Sequence, residues 1–138
     1  MQQFIKWNDK YNTGNFVIDH QHRRLVQLIN DLEEVIQQKE LKPTLLNVIF
    51  DEVASYTQYH FQTEEELMAN VNYSGITEHK QLHKDFIKGL ALFKEQADQG
   101  AVYIDTALCQ FLKDWLLGHI AVEDQKIIHE MSQGQGVV

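Results

Sequence analysis

Apolar residues recur at three- and four-residue intervals through four long segments of this chain, and its single proline, Pro43, stands at the edge of one segment rather than inside it. A helix that must bury one face needs that spacing. No alternating β-branched run separates the segments, which argues against a parallel α/β sheet. The first segment covers about 18–38, with Ile18, Leu25, Leu28, Ile29, Leu32 and Ile36 on one side and Asp19 as the expected N-cap. The second, about 43–71, places Pro43 in its first turn and continues through Ile49, Val53, Tyr56, His60, Leu67 and Val71. Asn72, Tyr73, Ser74 and Gly75 break it. The third covers about 76–97 and ends near Gly100, the fourth runs from about 103 to 131, and 132–138 form a tail expected to fray. Ahead of them, residues 1–17 form an irregular arm with Trp7, Tyr11 and Gly14, whose large rings are expected to pack on the body.

The 138 residues suit one domain, and no repeat or linker divides them, so 1–138 is read as a single domain. Four helices joined by short loops predict an all-α fold, an up-down-up-down antiparallel four-helix bundle with an N-terminal irregular arm. Twelve Lys and Arg against 20 Asp and Glu leave a net charge of −8, which argues against nucleic acid or an anionic membrane surface as partner. One cysteine, Cys109, excludes an internal disulfide and any Cys-built metal site, and fits a reducing compartment. The opening MQQFIKWNDK lacks the apolar stretch of a signal sequence, and no run approaches the ~18 apolar residues of a membrane span. The expectation is a cytoplasmic protein and a monomer.

Seven histidines then need an account. Unrolled at about 100° per residue, each segment sets at least one on its apolar stripe. His22 lies in line with Ile18, Leu25, Val26 and Ile29, and His60 with Val53, Tyr56, Glu64 and Leu67. His79 and His83 sit with Ile76, Phe86, Ile87 and Leu90, and His119 continues Leu108, Leu112, Trp115 and Leu116. Singly, each is best read as a hydrogen-bonded core residue, and one His-x-x-x-His pair arises readily by chance. Five imidazoles aimed inward from four helices do not. Burying them without partners costs about 1–3 kcal/mol apiece. Metal ions remove that cost by taking the ring lone pairs. Five nitrogens with carboxylates and no thiolate exceed one octahedron, which implies two ions, iron or manganese by ligand type.

The residues that carry a family likeness are Trp7, Tyr11, Gly14, the run Ile18-Asp19-His20-Gln21-His22, the run from His60 through Glu64 to Met68, Tyr73, His79 through His83, Phe111 through Ile120, and Asp124. In these the chain resembles the hemerythrins, in their single-domain bacterial form, over nearly its whole length. The resemblance implies two iron ions, Fe2+ or Fe3+, joined by an oxo or hydroxo bridge. His22 and His60 would bind one, His79, His83 and His119 the other, with Glu64 and Asp124 bridging. The three-histidine iron is then saturated and the two-histidine iron keeps one open position. Dioxygen (O2) would bind there, held as a hydroperoxide. Leu116 corresponds to a family pocket position, and Ile120, Phe61 and Trp115 are further pocket candidates for which core packing is the alternative. Helical spacing alone favours Glu123, about 40° from His119, over Asp124 at about 140°. The family pattern chooses Asp124, which requires a departure from α geometry near Ala121–Glu123, as in a π-type bulge. Ser74 stands where the family often has proline. His20 and His129 match no ligand position, Cys109 reads as a small buried side chain, and Glu65 and Glu66 read as solvated.

The function so implied is reversible dioxygen binding as carrier, store or supplier, with docking to an oxygen-using partner as an added role. A di-iron oxidase or peroxide-handling enzyme is the alternative. Ferritin-like enzymes of that kind use Glu-x-x-His motifs, and here Val17, Asp19, Thr57, Ile76, Lys80, Leu116 and Lys126 occupy the positions three before each histidine. An oxygen or redox sensor acting in trans is a third reading, since 138 residues leave no room for a fused signalling domain.

Overall fold

In the computed structural model, residues 3–38, 43–100 and 103–135 are described. Four helical rods form an antiparallel bundle, and no strand occurs among the described residues. The rods are α1 (Phe16–Ile36), α2 (Pro43–Asn70), α3 (Ile76–Asp98), and a fourth built of α4 (Thr106–Gly118), a π-helical turn (His119–Glu123) and α5 (Asp124–Gln135). None of them is long and apolar enough to cross a membrane.

Caps set the ends. The periodicity starts α1 at Ile18 with Asp19 as cap, whereas the helix starts at Phe16. Asn15 is its N-cap, accepting from the Ile18 amide at 3.0 Å. Asp19 instead binds the arm, accepting from the Thr13 amide and hydroxyl at 2.8 and 2.7 Å and from the Gly14 amide at 3.1 Å. α2 begins at Pro43, where a missing N–H costs nothing. It ends with Asn72 at φ 53° and the Tyr73 amide bonded to the Met68 carbonyl at 2.9 Å, a Schellman closure. A Cβ on Gly75 would lie 2.9–3.0 Å from the Tyr73 hydroxyl and ring, so a side chain there would force the tyrosine aside. The fourth rod starts at Thr106 rather than 103, because Asp105 accepts from the Leu108 amide. Residues 132–135 of the expected tail continue α5. The arm's residues 1–2, the connections 39–42 and 101–102, and 136–138 lie outside the described residues.

The arm packs as its aromatics imply. Ile5 is buried, its amide and carbonyl both held by the Asn30 side chain at 2.7 and 2.9 Å. Trp7 meets Tyr11 edge to face at 5.5 Å and carries the Arg23 guanidinium 5.1 Å above its ring.

The bundle interior is layered. Toward one end lies the larger apolar cluster, with Leu28, Leu32, Phe50, Val53, Leu90 and Leu112. Toward the other lies a small one of Met68, Tyr73 and Ile127, packed with Leu67, Ile76 and Met131. Between them, near the starts of α1 and α3, late in α2 and at the middle of the fourth rod, the core turns polar. Cys109 stays in the apolar part, fully buried, its thiol pushed up to about 12 by burial.

Candidate metal centre

The polar layer consists of His22 from α1, His60 and Glu64 from α2, His79 and His83 from α3, and His119 and Asp124 from the fourth rod. None is more than 4% exposed. His60 and Glu64, and likewise His79 and His83, are one turn apart on one face. His119 and Asp124 open and follow the π turn, where the wider winding advances about 80° per residue and returns the fifth residue to the facing side. Asp124 is therefore 1% exposed and points inward. Glu123 faces outward to Lys126 at 3.3 Å.

The distances sort the cluster into two halves. Glu64 Oε1 lies 2.7 Å from His60 Nε2 and 3.4 Å from His22 Nε2, and Asp124 Oδ2 lies 2.7 Å from His22 Nε2. Glu64 Oε2 lies 3.1 Å from His79 Nε2 and 3.2 Å from His83 Nε2. Asp124 Oδ1 lies 3.2 Å from His79 Nε2 and 3.0 Å from His119 Nε2. Each carboxylate thus gives one oxygen to a two-histidine group and the other to a three-histidine group. The two sets that can each gather around one ion are His22, His60, Glu64, Asp124 and Glu64, His79, His83, His119.

Hydrogen bonds such as His79 Nε2 to Glu64 Oε2 account for only part of these contacts. Among the described residues His60 Nε2 and both Asp124 oxygens have no well-angled hydrogen-bond partner, although carboxylate and imidazole atoms lie 2.7–3.2 Å from them. His83 Nε2 and His119 Nε2 approach to 3.2 Å, two nitrogens turned toward the same space. Atoms so placed point at a common centre rather than at each other. A cation there satisfies them, and the donor set of imidazole and carboxylate fits iron or manganese. In the metal-free chain protons do part of that work. Burial alone lowers His22 and His119, but hydrogen bonding and charge from Asp124 and Glu64 outweigh it and raise them to about 9 and about 10. Burial pushes Glu64 and Asp124 the other way, and the surrounding imidazoles override it to hold both carboxyls below their usual range.

Two partners outside the cluster were not visible as spacing. Gln21 accepts from His60 Nδ1 at 2.7 Å, and Glu65 lies 3.0 Å from His83 Nδ1, so Glu65 is not the solvated residue the sequence suggests. A pairing of this kind crosses between helices or turns, and intrahelical periodicity carries no signal for it. Of the four pocket candidates, Phe61 stacks on His83 at 3.7 Å and Trp115 on His119 at 4.6 Å, both against the three-histidine half. Leu116 and Ile120 are buried at 3% and 0% in the larger apolar cluster. His20 and His129 are exposed and away from the cluster; His20 stacks only on Phe16.

Residues 13–130 match the family profile described as the hemerythrin HHE cation binding domain. The chain is 37% identical over 121 residues to the bacteriohemerythrin of Stenotrophomonas maltophilia, covering 88% of this chain and 77% of that one. It is 34% identical over 133 residues to that of Pseudomonas aeruginosa, covering 94% and 85%. It is 32% identical to a hemerythrin-like protein of Naegleria gruberi, covering 88% and 89%. Among solved structures, a wild-type hemerythrin superposes with a TM-score of 0.83 at 22% identity, covering 88% of this chain and 93% of the other. Variants of a hemerythrin substituted at one leucine give 0.85 at 21% identity, covering 90% and 94%. The seven-residue cluster and these likenesses together place the chain in the hemerythrin family.

Proposed function

We propose that the chain binds dioxygen reversibly at a di-iron centre held by His22, His60, His79, His83, His119, Glu64 and Asp124. The observation that carries this reading is the division of each carboxylate between the two histidine groups. Glu64 and Asp124 would be shared by two ions, one held also by His79, His83 and His119 and the other by His22 and His60. The two-histidine half has fewer protein ligands and would leave room for a small ligand. Iron held there would supply the electrons for dioxygen chemistry.

The chain's own residues hold geometry and exclude water. Glu64 and Asp124 set the spacing of the two halves from opposite sides. Phe61 and Trp115 seal the outer faces of His83 and His119. That leaves Leu116 and Ile120 as the apolar wall for the bound ligand, a surface that offers no proton and keeps the pocket dry. No side chain in the cluster is a free acid or base beyond the proposed ligands, which favours binding over turnover as an oxidase or peroxide-handling enzyme.

The test is iron loading of the purified chain followed by cycles of oxygen and argon. Two irons per chain and an absorption band that appears with oxygen and disappears under argon are the expected result. One-way oxidation, or turnover of peroxide, would move the assignment to the enzyme. Fewer than two irons per chain would remove the centre as drawn.

A further inference from the structure

The two histidine groups differ in what holds them from behind. Thr63 donates its hydroxyl proton to the Tyr59 carbonyl at 3.1 Å, so toward Gln21 it can only accept, and it does so from Gln21 Nε2 at 3.1 Å. The Gln21 amide is thereby turned with Oε1 toward His60 Nδ1, which must donate. His60 is left with its Nε2 lone pair facing the cluster, backed by a neutral and buried amide. On the other half, Glu65 accepts from His83 Nδ1 at 3.0 Å. Its partner is a carboxylate, one-third exposed, in a surface groove between α2 and α3 whose floor is Phe61 and His83 and whose rim carries Lys84 and Lys88. His22 Nδ1 and His79 Nδ1 have no hydrogen-bond partner among the described residues.

A carboxylate behind an imidazole strengthens it as a donor more than an amide does. We propose, resting on the di-iron reading, that Glu65 is a positioning residue for His83 whose carboxylate makes the two ions unequal. It biases the ion on the three-histidine side toward the higher charge state, while Gln21 leaves its counterpart neutral. Ligand count and outer charge then act in the same direction, and the half kept for the small ligand is the one without an anionic backing group.

Glu65→Gln tests this, because it makes the partner of His83 the same amide that serves His60. Glu66→Gln is the control: it removes one neighbouring negative charge at an exposed position whose side chain meets only Gln62. In the full-length chain loaded with zinc and titrated against a chelator, Glu65→Gln should weaken one of the two binding steps about 10–100-fold and leave the other unchanged. The His83 Nδ1 proton signal of the zinc form should shift as well. With iron, the ion on the three-histidine side should become easier to reduce, by ~59 mV for each tenfold loss of ferric over ferrous affinity. Glu66→Gln should do none of these. Equal effects of the two variants, or two bound ions with affinity and proton signal unmoved in Glu65→Gln, overturn the proposal alone. A wild-type chain that binds fewer than two zinc ions overturns the di-metal reading and this inference with it.

Discussion

Glu64 touches all five imidazoles of the centre, from 2.7 Å at His60 to 3.6 Å at His119, and no other side chain does. Glu64→Gln keeps the volume and removes the charge that both halves share, so both ions should weaken together, by more than the ~100-fold that outer partners command. Metal content per chain after dialysis reads this; loss of only one ion would contradict the bridging role. His79→Ala and His119→Ala should each lose metal and much of the stability that metal confers, since they leave a polar layer built for ions without its donors. Leu116→Ala should keep both irons, cost about 2–5 kcal/mol of stability through the cavity it opens, and speed autoxidation of the oxygenated form. An unchanged autoxidation rate would remove Leu116 from the pocket. These residue roles differ in how legible they are from the chain alone. Five histidines on four apolar stripes can be read by counting, because each is set by its own helix. Glu65 and Gln21 cannot, because what they do depends on which lone pair a ring turns inward.

Among the elements, the π turn is where simple helical counting fails. Spacing favours Glu123, and the structure turns Asp124 inward because His119–Glu123 winds wider than an α-helix. A π turn is an α-helix with one residue too many. Deleting exposed Val122 should therefore close it, put Asp124 four residues after His119, about 40° away, and keep both ions within about tenfold of their original affinity. Loss of both ions on chelator titration would show that the axial rise of the wide turn, and not direction alone, places Asp124. The helix ends were legible only to within a few residues, since Asn15 and Asp19 are chemically equivalent as caps and only the arm's demand for an acceptor at Thr13 decides between them. Glycines at two element positions should respond oppositely. Gly75→Ala meets the Tyr73 ring and should cost about 1–3 kcal/mol, whereas Gly89→Ala, with open space around it in mid-α3, should gain about 0.5–1 kcal/mol. Thermal unfolding of the pair checks both signs.

For the molecule as a whole, a bound metal would compete with protons for the same layer. Raised His22 and His119 contribute stability to the metal-free chain that is fully present below the ordinary 6.5 and lost as pH rises through about 9 to 10. Lowered Glu64 and Asp124 contribute above their ordinary values of 4.5 and 3.8, and that contribution is lost as pH falls through the lowered ones. The metal-free chain should therefore be most stable between about pH 4.5 and 6.5 and weaken above it, while metal affinity rises over the same range as the imidazoles give up protons. Melting of both forms from pH 5 to 10 should show the gap between them widening upward; parallel curves would mean that the histidines are not protonated without metal.

The end of the bundle nearest the centre is closed by the small cluster of Met68, Tyr73 and Ile127 with the side chains packed on it. Ser74 fastens it, donating from its amide and hydroxyl to Glu130 on α5 at 2.8 and 2.5 Å. Proline in that place would have no N–H to give. The clasp concerns time rather than equilibrium. On the di-iron reading the clasp should lengthen the stay of bound ions, because it ties the turn before α3 to α5, whose first residue is Asp124. Ser74→Ala should hasten release to a chelator and amide exchange in α5 together, with the affinity at equilibrium almost unaltered.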